Sequence, residues 1–310
     1  MKTRWLLFVA LISSSLVPDI TEAAPNSFAY VLQAENVSSN RAIAVRRLAA
    51  SSRDWLVLDP QFSEVDRWSR SDLATLRRAQ PGRKILAYIS IGEAENYRPY
   101  WKTDWAIGGV LSPTAPDWLL SENPSWPGNF KVKFWSPVWQ QIMLSAVDAA
   151  MAQGFDGVYL DIVDAFEFFE QNGSDFIDNR LNPETGESYR LDMVAWVRQI
   201  AGRVRNVKHR ALVIPQNGEA LLAIPTFLNT VSGIGVEDLF TDTNQLQLRS
   251  EINYRRSFLQ RLTTRNKPVL DIEYPTLTSR KAFVREQAHA AGITWLITDR
   301  NLRTFGTSGR

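Results

Sequence analysis

The sequence predicts an α/β fold, a single (β/α)8 barrel, on three observations. Eight short β-rich runs alternate with stretches of helical period. The runs are almost continuously apolar, as parallel strands covered on both faces must be. About 285 residues follow the N-terminal segment, enough for eight such units at ~250 residues. The competing architecture, a doubly wound open sheet, lacks its usual mark, since no GxGxxG or GxxxxGK[ST] follows the first strand.

In chain order the strand-like runs are FAYVLQ (28–33), WLVLDP (55–60), KILAYISIG (84–92), GVYLDIVD (157–164), ALVIPQN (211–217), VSGIGVEDLF (231–240), PVLDIEYP (268–275) and TWLITDR (294–300). Amphipathic helices are expected over 39–50, 69–79, 136–153, 191–207, 243–265 and 279–291. Ser71, Ser136 ahead of Pro137, and Thr278 or Ser279 are expected N-caps. Gly154 and Gly292 stand where a helix must stop before the next strand. The segment 96–128, NYRPYWKTDWAIGGVLSPTAPDWLLSENPSWPG, is too long for an ordinary βα connection and reads as an elaborated, aromatic-rich loop after the third strand. No repeat, low-complexity tract or linker divides the chain, so residues 24–310 read as one domain.

Composition removes several function classes. With 35 Lys+Arg against 33 Asp+Glu the net charge is +2, which leaves no electrostatic footprint for nucleic acid. The absence of cysteine excludes disulfides, thiolate catalysis and a lipidated N-terminal Cys, and two histidines, His209 and His289, offer little material for a His-rich metal site or a Ser-His-Asp triad. Lys2 and Arg4 precede the apolar run LLFVALI, followed by small residues up to Ala23. That order describes a secretory signal peptide over residues 1–23, so the mature chain is expected in the periplasm or outside the cell, with no stable membrane span after cleavage.

The candidate site follows from where the polar residues fall. Each strand begins apolar and gains carboxylates or amides at its C-terminal end: Asp59, Glu93 and Glu95, Asp161 and Asp164, Gln216, Asn217 and Glu219, Glu237 and Asp238, Asp271 and Glu273, Asp299. In a parallel barrel those ends share the face that carries the site. Asp161 and Glu237 stand out because each interrupts an apolar strand, where an unpaired charge is costly. Asp271 and Glu273 share one side of their strand and line the mouth if that side is inward. Tyr97, Tyr100, Trp101, Trp105, Trp118, Trp126, Trp135 and Tyr274 add aromatic surface. Such rings stack on the apolar faces of sugars while carboxylates and amides bind hydroxyl or amino groups, a combination that suits a polysaccharide or oligosaccharide.

KILAYISIGEAENYRPYW, GFDGVYLDIVDAFEFF, VIPQNGEALL, GIGVEDLF and VLDIEYP resemble glycoside hydrolase family 114, the endo-α-1,4-polygalactosaminidase group, from about Phe28 to about Asp299. The resemblance implies the same (β/α)8 barrel and a catalytic pair formed by Asp161 and Glu237, with Glu219 in QNGEAL the rival for the second place. No cofactor or metal is expected of the glycosidase it implies, which acts on an amino-sugar exopolysaccharide. Its substrate-binding residues are then expected among Asp59, Glu93, Glu95, Tyr97, Tyr100, Trp101, Asp164, Gln216, Asn217, Glu219, Asp271, Glu273 and Tyr274. Glycoside hydrolysis needs one protonated and one ionised carboxyl group. The apolar flank of Glu237 points to the acid role by desolvation, leaving Asp161 as nucleophile or base, with Asp164 orienting it or binding substrate. Two other readings use the same residues: a catalytically silent carbohydrate-binding barrel, and a Mg²⁺- or Ca²⁺-dependent hydrolase.

Overall fold

Residues 22–310 are described by a computed structural model. The expected signal peptide therefore lies outside the described residues except for Glu22 and Ala23. No helix among the described residues is long and apolar enough to cross a membrane.

Each apolar run folds as a strand: β1 (Phe28–Val31), β2 (Trp55–Leu58), β3 (Lys84–Ser90), β4 (Gly157–Asp161), β5 (Leu212–Pro215), β6 (Ile234–Glu237), β7 (Val269–Glu273) and β8 (Thr294–Ile297). All neighbouring pairs are parallel, in the order β1 to β5 and β6 to β8. A single bridge, Gln216 to Gly235, joins the two runs. Pro215 has no N–H to give at that seam, and the Val213 N–H goes instead to Ser232 Oγ at 3.1 Å. Glycine is required at 235 because a Cβ there would stand 1.7 Å from the Tyr159 hydroxyl.

The last unit departs from the expected repeat, since β8 is followed by a strand, β9 (Thr307–Gly309), rather than a helix. β9 runs antiparallel to β8, and its Ser308 Oγ accepts from Phe28 N–H at 2.9 Å, so it bridges β8 and β1. The helices are α1 (Arg41–Ala50), α2 (Arg70–Arg78), α3 (Pro137–Gln153), the short α4 (Ala165–Glu170), α5 (Tyr189–Val207), α6 (Pro225–Thr230), α7 (Arg249–Thr263) and α8 (Thr278–Ala291). Ser69 rather than Ser71 caps α2, because Asp72 three residues on completes a reciprocal capping box. Gly154 and Gly292 end α3 and α8 at φ 103° and 67°, values that suit glycine. The helix expected over 243–265 begins only at Arg249, because Thr241–Asp242 and Gln245–Leu246 pair as a hairpin ahead of it.

Strand alternation sorts the side chains into two cores. Tyr30, Tyr88, Tyr159, Ile214, Leu270 and Ile272 fill the barrel interior, while their odd-step neighbours such as Ala29, Ala87, Val158, Val213 and Val269 pack under the helices. The excursion after β3 packs onto the helix-side core and extends it. Glu93–Glu95, Leu119–Glu122 and Asn129–Val132 form a small antiparallel sheet. Trp101, Trp105, Trp118 and Trp139 pack ring against ring beside it, with successive centroids 5.4 Å apart (Trp101–Trp105 and Trp105–Trp118) and 5.0 Å apart (Trp118–Trp139). Ordering so long a connection costs backbone entropy, and this buried aromatic surface offsets it.

Candidate active site

β4 and β6 flank β5, and each delivers one carboxylate to the mouth. At the end of β4, Asp161 Oδ2 accepts from the Tyr88 hydroxyl at 2.7 Å and Oδ1 from Ile162 N–H at 2.9 Å. At the end of β6, Glu237 Oε1 accepts from the Tyr274 hydroxyl. The chain leaves all three strands through left-handed backbone: Ile162 at φ 57°, Asn217 at 58° and Asp238 at 50°. A β-branched residue such as Ile162 adopts that conformation only when its surroundings impose it. Gly92 is one such constraint, since a Cβ there would lie 2.1 Å from the Ile162 carbonyl. Asn217 Oδ1 accepts from Glu237 N–H at 3.1 Å, and Arg255 Nη1 donates to the carbonyls of Glu237 and Asp238 at 3.1 and 3.2 Å.

These residues open on a cleft of about 540 Å³ whose wall includes Tyr30, Asp59, Tyr88, Glu95, Tyr97, Trp126, Asn217 and Arg300. Six carboxylates line it (Glu35, Asp59, Glu64, Glu95, Asp161 and Glu237) against Arg98 and Arg300, so the mouth is acidic on a chain of net charge +2. Burial, and then the charge of Glu237, push the Asp161 carboxyl up to about 7. Val236, the apolar neighbour of Glu237, points into the helix layer, while the Glu237 side chain faces the cleft.

The thirteen expected substrate-binding residues divide by location. Asp59, Glu95, Tyr97 and Asn217 line the cleft. Asp164 and Glu219 line an adjoining depression. The other seven lie outside both. Period two puts Tyr274 on the interior side of β7, so Asp271 and Glu273 face outward; both are buried, and Glu273 accepts from Phe240 N–H (2.6 Å) and Thr241 N–H (3.1 Å). Gln216 is buried with its carbonyl taken by the Tyr159 hydroxyl, and Glu93 with one oxygen on Asn123 at 2.9 Å. Tyr100 and Trp101 pack against the helix-side core, Tyr100 accepting from Glu95 N–H at 2.8 Å. Tyr274 is 5% exposed and touches Glu237 rather than open cleft. Of the excursion's aromatic residues, Tyr97 (52% exposed) and Trp126 (47%) remain open on the cleft.

With that geometry the chain can be compared with known proteins. The family model for glycoside-hydrolase family GH114 matches residues 20–309. The chain belongs to glycoside-hydrolase family GH114. An uncharacterized protein of Deinococcus radiodurans is 35% identical over 80% of this chain and 73% of its own. Two solved structures share the fold. Aspergillus fumigatus Ega3, in complex with galactosamine, superposes with TM-score 0.64 at 20% identity over 93% of this chain and 96% of its own. The glycoside hydrolase domain of PelA from Pseudomonas aeruginosa superposes with TM-score 0.62 at 17% identity over 92% and 98%.

Tyr88, Arg98 and Arg300 build this GH114 site without being among the expected site residues, and Tyr274, expected on the substrate, holds a carboxylate instead. Tyr88 and Tyr274 hold the two carboxylates, and Arg300 lies 4.2 Å over the Tyr274 ring while pairing with Asp238 at 3.0 Å. Arg98 bridges two cleft-wall carboxylates, Asp59 at 2.7 Å and Glu95 at 2.5 Å, with all three side chains largely buried. The only signal available was period two for Tyr88 and Tyr274; an arginine in a loop carries none. Arg98→Met is expected to strand two buried anions and cost about 3 kcal/mol. A thermal melt should show Tm lower by roughly 6–12 °C; an unchanged Tm would mean that solvent already screens the triad.

Among the described residues no group of three or more His, Cys, Asp or Glu side chains is arranged to hold a metal ion.

Proposed function

We propose that this GH114 barrel hydrolyses an amino-sugar exopolysaccharide, an α-1,4-linked galactosamine polymer, with Asp161 and Glu237 as its two carboxylates. The observation that carries the reading is the pairing itself: two carboxylates on the ends of β4 and β6 in one acidic cleft, each fixed by a buried tyrosine hydroxyl. An acidic mouth concentrates a cationic, partly deacetylated polymer. The fold shared with Ega3, which was solved with galactosamine, supports the same sugar class. Residues 1–23 support export, which places the enzyme in the periplasm or outside the cell with such a polymer.

In this mechanism Glu237 gives a proton to the glycosidic oxygen as the bond to the anomeric carbon breaks. Asp161, ionised, attacks that carbon or deprotonates the water that does. Asp161 accepts a hydrogen bond at each oxygen, which favours its ionised form in the reacting complex. Burial and the charge of Glu237 push the Asp161 carboxyl up to about 7, so it is largely protonated below that pH and ionised above it. As nucleophile or base it works only when ionised, so kcat/KM is expected to rise as pH rises through about 7. A profile flat from about pH 5 to about pH 8 would contradict this role of Asp161.

The direct test is to incubate mature protein with amino-sugar and neutral exopolysaccharides and to identify released oligosaccharides by mass spectrometry. Release from galactosamine polymer is expected. No release from any polymer would overturn the hydrolytic reading in favour of a binding barrel.

A further inference from the structure

The cleft does not end at Glu237. A second depression, about 560 Å³, shares Glu237 and Asn217 with the main cleft. The two occupy different arcs of the barrel mouth. The main cleft is walled from β1, β2, β3 and the segment after β8, and the second from the exits of β4 and β5 and from α7. Each is within the range of about 300–1,000 Å³ typical of ligand sites. The carboxylate that meets the scissile bond thus stands on the line between two basins of similar size.

The wall of the second basin holds aromatic surface with no core to fill. Tyr254 on α7 and Phe176 on the hairpin after α4 are each 57% exposed. Tyr254 rests edge-on against Phe258, centroids 5.1 Å apart at 90°, which fixes the plane of its ring. At the basin floor Glu219 is paired with Arg255 at 2.6 Å, and that arginine also holds the backbone of Glu237. Occupancy of this basin therefore bears directly on the loop that carries the catalytic group.

We propose that the second basin is the other half of the substrate groove, binding amino-sugar units of the same polymer beyond the scissile bond, with Tyr254 as its stacking platform. The proposal rests on the hydrolytic reading given above. A chain lying across Glu237 in this way is cut internally, and rate rises with length until both basins are filled.

The test measures kcat/KM on size-defined galactosamine oligosaccharides, tetramer and octamer, for wild type, Tyr254→Ala and Tyr254→Trp. Wild type is expected to favour the octamer by about tenfold or more, worth roughly one good aromatic–sugar contact. Tyr254→Ala should bring the octamer-to-tetramer ratio close to one, and Tyr254→Trp should preserve it. General damage to the fold would lower both substrates equally and leave the ratio intact. A ratio unchanged in Tyr254→Ala overturns the second basin while leaving hydrolysis in place. No cleavage of either oligosaccharide by wild type overturns the hydrolytic reading and this inference with it.

Discussion

Asp161→Asn is expected to lose about 10³-fold in turnover of the polymer and at the same time to gain stability relative to wild type as pH rises. The loss follows from removing the nucleophile or base at the end of β4. The gain follows from linkage. The folded state holds the Asp161 proton to about pH 7, whereas an unperturbed carboxyl releases it near 3.8. Between those values the folded state binds more protons than the unfolded chain, so its stability falls as pH rises and stays reduced above 7. An Asn side chain has no proton to lose. The Tm of Asp161→Asn minus that of wild type should therefore grow between pH 4 and pH 8, by about 2–6 °C for a partly solvated group. Melts across that range decide it: a constant difference would mean that the fold does not strain this carboxyl. Such a trade, stability given up for a poised group, is usual at catalytic sites.

Glu237→Gln is expected to cost about 10³-fold on the polymer and far less on a substrate with an activated aryl leaving group, because a good leaving group departs without a proton. Equal losses on both would remove Glu237 from the acid role. Gln keeps an acceptor for the Tyr274 hydroxyl, so the side chain should stay in place. The same substitution removes the second-largest cause of the raised Asp161 value, the charge of Glu237. Asp161 should then titrate below 7, which carboxyl ¹³C shifts would show directly. An Asp161 titration that stays at about 7 would mean that burial alone accounts for the rise.

The eight strands were legible because each is an apolar run of the right length, and period two then places alternate residues on opposite faces. Asp161 and Glu237 were legible for the same reason: a charge inside such a run is costly unless the strand ends at solvent. Asp271 and Glu273 share that signal, yet they face the helices. Composition along a strand does not say which of its two faces is the barrel interior, and only the packed position of Tyr274 and Ile272 resolves it. The aromatic excursion was visible as a segment, but its tryptophans could equally have lined a cleft or filled a core. Trp101, Trp105 and Trp118 pack together onto the helix-side core, which anchors so long a connection.

By itself, then, the sequence determined the barrel, the family and the two strands that end in the candidate catalytic carboxylates, since these depend on local pattern and on motifs in order. Tertiary structure decided what those carboxylates experience. Tyr88 lies 73 residues from Asp161, and Tyr274 lies 37 from Glu237. The pKa of Asp161 depends on burial and on a charge from another strand. Electrostatic energy depends on distance in space and on access to water, and the packing of the strands sets both, bringing remote parts of the chain to one mouth.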